Sequence, residues 1–185
     1  MEREIAQHFE DAINATYSGL MLLARDVNLP PQLGERYTSG LVIRERAFTD
    51  ATVRLGGMVT SHRFVILSNH MVDFDMLLGD QREADAPDWQ LHVANRDSRF
   101  KVLGQCELEG RIHIFLLHLP DDERWRLLAE VQLDIDEGIL ADAADRMAGR
   151  VSQRPIPEVT SEAWLDRCRF PIGMTEEGEL FPLDE

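Results

Sequence analysis

The spacing of apolar residues changes twice along this chain, dividing it into helical ends and a sheet-forming middle. In residues 2–25, Ile5, Phe9, Ala12, Thr16, Leu20 and Leu23 recur every three or four positions, and Ile13, Tyr17 and Met21 widen the stripe. That spacing predicts an amphipathic helix over 2–25 with Arg25 in its last turn. Pro30-Pro31 rules out continuation, because proline lacks the donor N–H and restricts the residue before it.

From residue 38 the pattern becomes short aliphatic and β-branched runs broken by polar turns. Strands are expected over 40–47, 51–59 and 63–70, connected by Thr49-Asp50 and Thr60-Ser61-His62. Met76-Leu77-Leu78 fits the close of either a short strand or a short helix, and 79–88 reads as an exposed acidic loop. Residues 89–94, 99–109, 111–119 and 126–136 read as an antiparallel meander. In the last of these, Leu127, Ala129, Val131, Leu133 and Ile135 alternate with Glu130, Gln132, Asp134 and Asp136. Period 2 is the mark of a half-buried strand, here with an acidic outer face. The run 112–117 is apolar on both faces, as a central strand is. Helical spacing returns over 138–153 and stops at Pro155 and Pro157. A short helix through Cys168 follows, capped by Thr160 or Ser161. Beyond a turn at Glu177-Gly178, Leu180, Phe181 and Leu183 could pack back as a last strand.

The expectation is one α+β domain over 1–185. Its core is a single antiparallel sheet of six or seven strands, with the N-terminal helix and the C-terminal helices covering one face.

Charge narrows the functional classes. The net charge is -15, and residues 71–145 hold 18 acidic and 7 basic residues, against 8 and 7 in residues 1–70. A field of that sign repels nucleic acid and anionic membrane and attracts basic partners or cations. Neither a signal-peptide pattern nor a membrane-length apolar run is present. Cys106 and Cys168 fit neither a disulfide framework nor a zinc motif. These features predict a cytoplasmic protein, and the preference for Arg over Lys hints at a bacterial source.

No P-loop, G-x-G-x-x-G, H-E-x-x-H or G-x-S-x-G motif appears, and no cofactor is expected. Two constellations could carry chemistry. His70, Asp73 and Asp75 offer mixed N/O metal ligands, although a strand would point His70 away from both carboxylates. If Glu109-Gly110 is a two-residue hairpin turn, residue i faces 219 − i, and Cys106 lies across from His113 as a thiol–imidazole pair. The bland readings are a solvated acidic turn and a buried cysteine packed on a histidine.

Glu130, Asp134 and Asp136 are the expected partner-binding row. Size, acidity and pattern look like those of small acidic secretion chaperones and toxin-neutralising immunity proteins, a likeness of composition that covers no motif. The leading expectation is therefore a non-catalytic module that engages a basic protein, with room for a homodimer. The alternative is a small enzyme or small-molecule binder with a pocket between sheet and helices, using Cys106 and His113 or His70, Asp73 and Asp75.

Overall fold

A computed structural model describes residues 2–131 and 133–184. The chain begins with α1 (Glu2–Tyr17), which ends earlier than the apolar stripe. Gly19 at φ +69° reverses the chain, a conformation that glycine adopts without a Cβ penalty. The second half of the expected helix is therefore strand β1 (Met21–Val27), buried from its second residue onward. Then follow the single turn α2 (Pro31–Gly34) and strands β2 (Val42–Arg44), β3 (Thr49–Thr52), β4 (His62–Ser68) and β5 (Val72–Asp73). After α3 (Phe74–Leu78) come β6 (Leu91–Ala94), β7 (Arg99–Leu108) and β8 (Arg111–His118). The chain closes with α4 (Trp125–Ala129), α5 (Asp134–Val151) and α6 (Glu162–Arg167).

The eight strands form one sheet in the order β2-β7-β8-β4-β1-β3-β6-β5. All neighbours are antiparallel except β4 and β8, which run parallel. The fold is thus α+β with a mostly antiparallel sheet, larger than expected and with one parallel pairing. The apolar run 112–117 lies in a central strand, between β7 and β4. The hairpin of β7 and β8 keeps the expected register, Cys106 opposite His113, as far as Gly104, where a bulge shifts it. Glu109 at φ +47° and Gly110 at φ +73° make the tight turn.

One face of the sheet is covered by α1, α4 and α5, whose Ala12, Leu128, Ala143 and Met147 pack on Val65, Leu67, Phe115 and Leu117. On the other face, Leu29, Leu33 and Tyr37 from the segment after β1, with Ile172 and Met174 from the tail, cover Leu23, Phe64, Ile66 and Ile114. The Tyr37 hydroxyl donates to the Ile172 carbonyl at 2.8 Å, and the Gly173 amide donates to the Glu45 carboxylate at 2.8 Å. A Cβ on Gly173 would lie 2.6 Å from that of Ile43, so the tail sits this close to β2 only as glycine. The tail forms a single bridge, Met174 with Leu180, rather than a full strand.

The stretch 126–136 is not a strand. It holds most of α4 and the start of α5, and Gln132 lies outside the described residues. The capping expectation does hold, in the form of Ser161, whose Oγ accepts from the Trp164 amide at 3.3 Å. Ser161→Ala should cost about 1 kcal/mol of stability in urea unfolding, a typical N-cap loss. A cost near zero would mean that packing of the buried Trp164 alone holds α6.

Candidate functional site

Arg25 lies in the middle of β1, where side chains alternate between two covered faces, so its guanidinium is carried inside. It is only 6% exposed. It donates to the Asp50 carbonyl and to the Phe170 carbonyl, both at 3.2 Å, and its Nε is buried with no partner. No carboxylate pairs with it among the described residues. Buried charges are normally paired, because desolvating an ion costs several kcal/mol (roughly) unless a counter-charge offsets it.

A cavity of about 320 Å³ opens beside it, lined among others by Glu45, Phe48, Thr49, Arg167 and Phe170. The Thr49 hydroxyl is also buried without a partner. Glu45 accepts the amides of Ala47 and Gly173 at 2.9 and 2.8 Å. Both oxygens are thereby engaged, which suits Glu45 to fixing the loop rather than moving protons. Arg167 pairs with Asp50 at 2.7 Å. Phe48 and Phe170 are exposed at the mouth, and the guanidinium groups of Arg96 and Arg169 lie over their rings at 5.1 and 4.5 Å. Within an acidic protein, Arg25 and Arg167 line this cavity with Phe48, Phe170 and Phe181, beside Glu45 and Glu176, and Arg96 and Arg169 lie over two of the rings.

The residues singled out from sequence lie elsewhere. His70, Asp73 and Asp75 do not converge. Asp73 caps α3 through the Met76 amide at 3.0 Å, and Asp75 faces Arg82 at 3.5 Å. His70 instead stacks on His118. Cys106 and His113 do sit opposite each other, but burial pushes the Cys106 thiol up and the His113 imidazole down. Both groups are therefore neutral near pH 7, the reverse of an activated ion pair. The acidic row is absent: Asp136 is buried and bonded to Lys101 at 2.8 Å, while Glu130 ends α4 and Asp134 begins α5.

Burial also lowers the pKa of His62, His70 and His118, the last to about 3 with His70 adding repulsion. Each is neutral when folded and takes up a proton on unfolding below about pH 6.5, so stability is complete above that pH and falls beneath it. Between pH 6.5 and 5 His118 should remove up to about 1.4 kcal/mol per pH unit, with His62 and His70 acting in the same direction. Unfolding free energies at pH 7 and pH 5 check this, and equal values would contradict it.

No family model matches the chain, and no curated protein is similar to it. Some solved structures are similar to part of the chain. The type III effector XopAI from Xanthomonas axonopodis is 17% identical over 58% of this chain and 44% of its own, with a TM-score of 0.44. The ADP-ribosyltransferase HopU1 of Pseudomonas syringae is 17% identical over 54% of this chain and 46% of its own, TM-score 0.44. C3stau2 from S. aureus with NAD is 12% identical over 65% and 71%, TM-score 0.44. The matched region thus spans less than half of the XopAI and HopU1 structures. The expectation of a non-catalytic, acidic protein-binding module is corrected by the geometry: Glu130, Asp134 and Asp136 form no row on a strand, and Asp136 is a buried partner of Lys101. At this level of likeness none of the similar structures assigns a residue of this chain a role.

Proposed function

We propose that this chain binds a small phosphate-bearing aromatic molecule, a nucleotide in chemical class, in the Arg25 cavity. The observation behind this reading is a buried guanidinium with no carboxylate partner, opening on a cavity beside an unpartnered threonine hydroxyl. An anionic oxygen placed there would give Arg25 its missing counter-charge and receive the Thr49 hydroxyl. Phe48 and Phe170 supply the aromatic surface on which a base can lie, with Arg96 and Arg169 already over those rings. The volume is at the small end of the usual range of about 300–1,000 Å³, which suits one nucleotide better than two.

Calorimetric titration with ADP, NAD, adenosine and inorganic phosphate tests the reading. ADP should bind more tightly than adenosine, because only ADP supplies the counter-charge, and more tightly than phosphate, because only ADP covers the rings. NAD, the molecule held by one of the similar structures, tests whether a dinucleotide extends across the mouth. If none of the four binds, or if adenosine matches ADP, the proposal fails.

A further inference from the structure

At the opposite end of β1 from the Arg25 cavity, His70, His118 and Asp121 bring one ligand atom each to within 4.8 Å of one another. We propose that they form a binding site for a divalent transition metal, zinc by the chemistry of its donors. His118 is 1% exposed, and its Nε2 and that of His70 are both buried without a partner. The His118 Nε2 lies 3.9 Å from Asp121 Oδ1. A cavity of about 470 Å³ adjoins them, lined by Asn69, Pro120, Asp122 and Arg124 among others.

The hydrogen bonds around the rings present His70 as a ligand. The Asn69 side-chain amide donates to the carbonyls of Ala15 and Ser18 at 2.6 and 2.8 Å, which turns its oxygen toward His70 Nδ1 at 2.9 Å. Nδ1 of His70 therefore carries the proton and Nε2 the lone pair, the tautomer that binds a metal. His118 Nδ1 meets Ser68 Oγ at 2.8 Å, and Phe100 stacks behind its ring with centroids 4.8 Å apart. Ser68 Oγ accepts two amides, so its proton goes to His118 Nδ1 and His118 carries its own proton on Nε2, 3.9 Å from Asp121; binding a metal there requires that proton to move to Nδ1 and the Ser68 hydroxyl to turn away. The same Ser68 oxygen receives the amides of His70 and Met71 at 3.2 and 3.1 Å, tying both histidines to one anchor. Asp122 is committed to Arg124, at 2.8 and 2.6 Å, whereas Asp121 has only long contacts, 3.5 Å to Asn95 and 3.4 Å to Ser98. Asp121 is the free carboxylate of the pair.

Two imidazole nitrogens and one carboxylate oxygen suit zinc and leave a fourth position for water from the cavity. Metal–ligand bonds of about 2.0–2.1 Å hold tetrahedral donors about 3.4 Å apart, so the site closes by about an ångström as metal enters. The two rings now stack, with centroids 3.8 Å apart and planes at 21°. His70 is the half-exposed member, in the loop after β4, and is the ring that turns edge-on. His118, wedged between Ser68 and Phe100, stays in place.

The test is Co²⁺ titration of the purified full chain, followed by visible absorption and then by displacement with Zn²⁺. The wild type should saturate at one equivalent with the bands of a four-coordinate ion. His70→Ala and Asp121→Asn, which alter partly solvated side chains and leave the core intact, should each weaken binding by roughly tenfold or more. A wild type that shows no saturable binding, or a loss below tenfold in either variant, overturns the site.

Discussion

Arg63→Met is expected to cost about 3–5 kcal/mol of folding stability, because it leaves Asp26 as a buried carboxylate without its counter-charge. Arg63 and Asp26 are 2% and 5% exposed in their side chains, on neighbouring central strands. The guanidinium grips both carboxylate oxygens, Nε at 2.5 Å and a terminal nitrogen at 2.8 Å, and its other terminal nitrogen donates to the Gly56 carbonyl at 2.9 Å. Chemical denaturation measures the loss. The double variant Arg63→Met with Asp26→Leu should recover much of it, since an apolar pair of similar volume leaves no stranded charge. If the double variant is no more stable than the single, packing rather than charge accounts for the loss.

Lys101→Met should be of similar size, about 3–5 kcal/mol, for the same reason. Lys101 is the chain's single lysine, and it is buried in β7. Its ammonium donates to the Leu128 carbonyl at 3.1 Å, the Val131 carbonyl at 2.5 Å and Asp136 at 2.8 Å. The three acceptors take all three of its protons. Asp136 also accepts from the Tyr17 hydroxyl at 2.5 Å. One lysine thus fastens α4, Val131 and the first turn of α5 to the sheet, and Asp136 fastens α1 to the same point. Burial, with Asp136 beside it, holds the Tyr17 hydroxyl protonated well above its ordinary range. Tyr17→Phe should cost less than Lys101→Met, because it removes a neutral donor while the ion pair survives. A Lys101→Met protein as stable as wild type would contradict this account of how the helical layer is attached.

The sheet was the legible part of this sequence, and the reason is local. Residues 112–117 are apolar on both faces because β8 is covered on both, and the Glu109-Gly110 turn sets the register that places Cys106 opposite His113. The bulge near Leu103 and the parallel pairing of β4 with β8 depend on contacts between distant segments, and no local pattern announces them. The stretch 126–136 shows how period 2 misleads. Its alternating apolar residues are divided among α4, the segment after it and α5, and the fully buried residue among those described is Leu128, which falls on the other phase. A usable signal was present: Arg126–Glu130 contains no β-branched residue and is built from strong helix formers. Misplacing that stretch turned Asp136, a buried ion-pair partner, into part of an apparent binding surface.

Arg25 was missed for a related reason. Continuing the helical stripe past Gly19 made it a helix-terminal base. Ending the helix at Gly19 would have left a charged residue inside the run Met21–Val27, where a buried strand needs an explanation for it. His118 and Asp121, far from His70 in sequence, come to it only through the parallel pairing of β4 with β8.

The most direct test is to measure stability and ADP affinity together in Arg25→Met. Arg25 has no carboxylate to strand, so its replacement should cost clearly less than Arg63→Met, about 1 kcal/mol for each of the two carbonyls that lose their donor. The same change removes the counter-charge for phosphate, a charge-assisted contact worth about 1.5–3 kcal/mol, and should weaken ADP roughly tenfold to a hundredfold. A folded Arg25→Met protein that binds ADP as tightly as wild type would contradict the account.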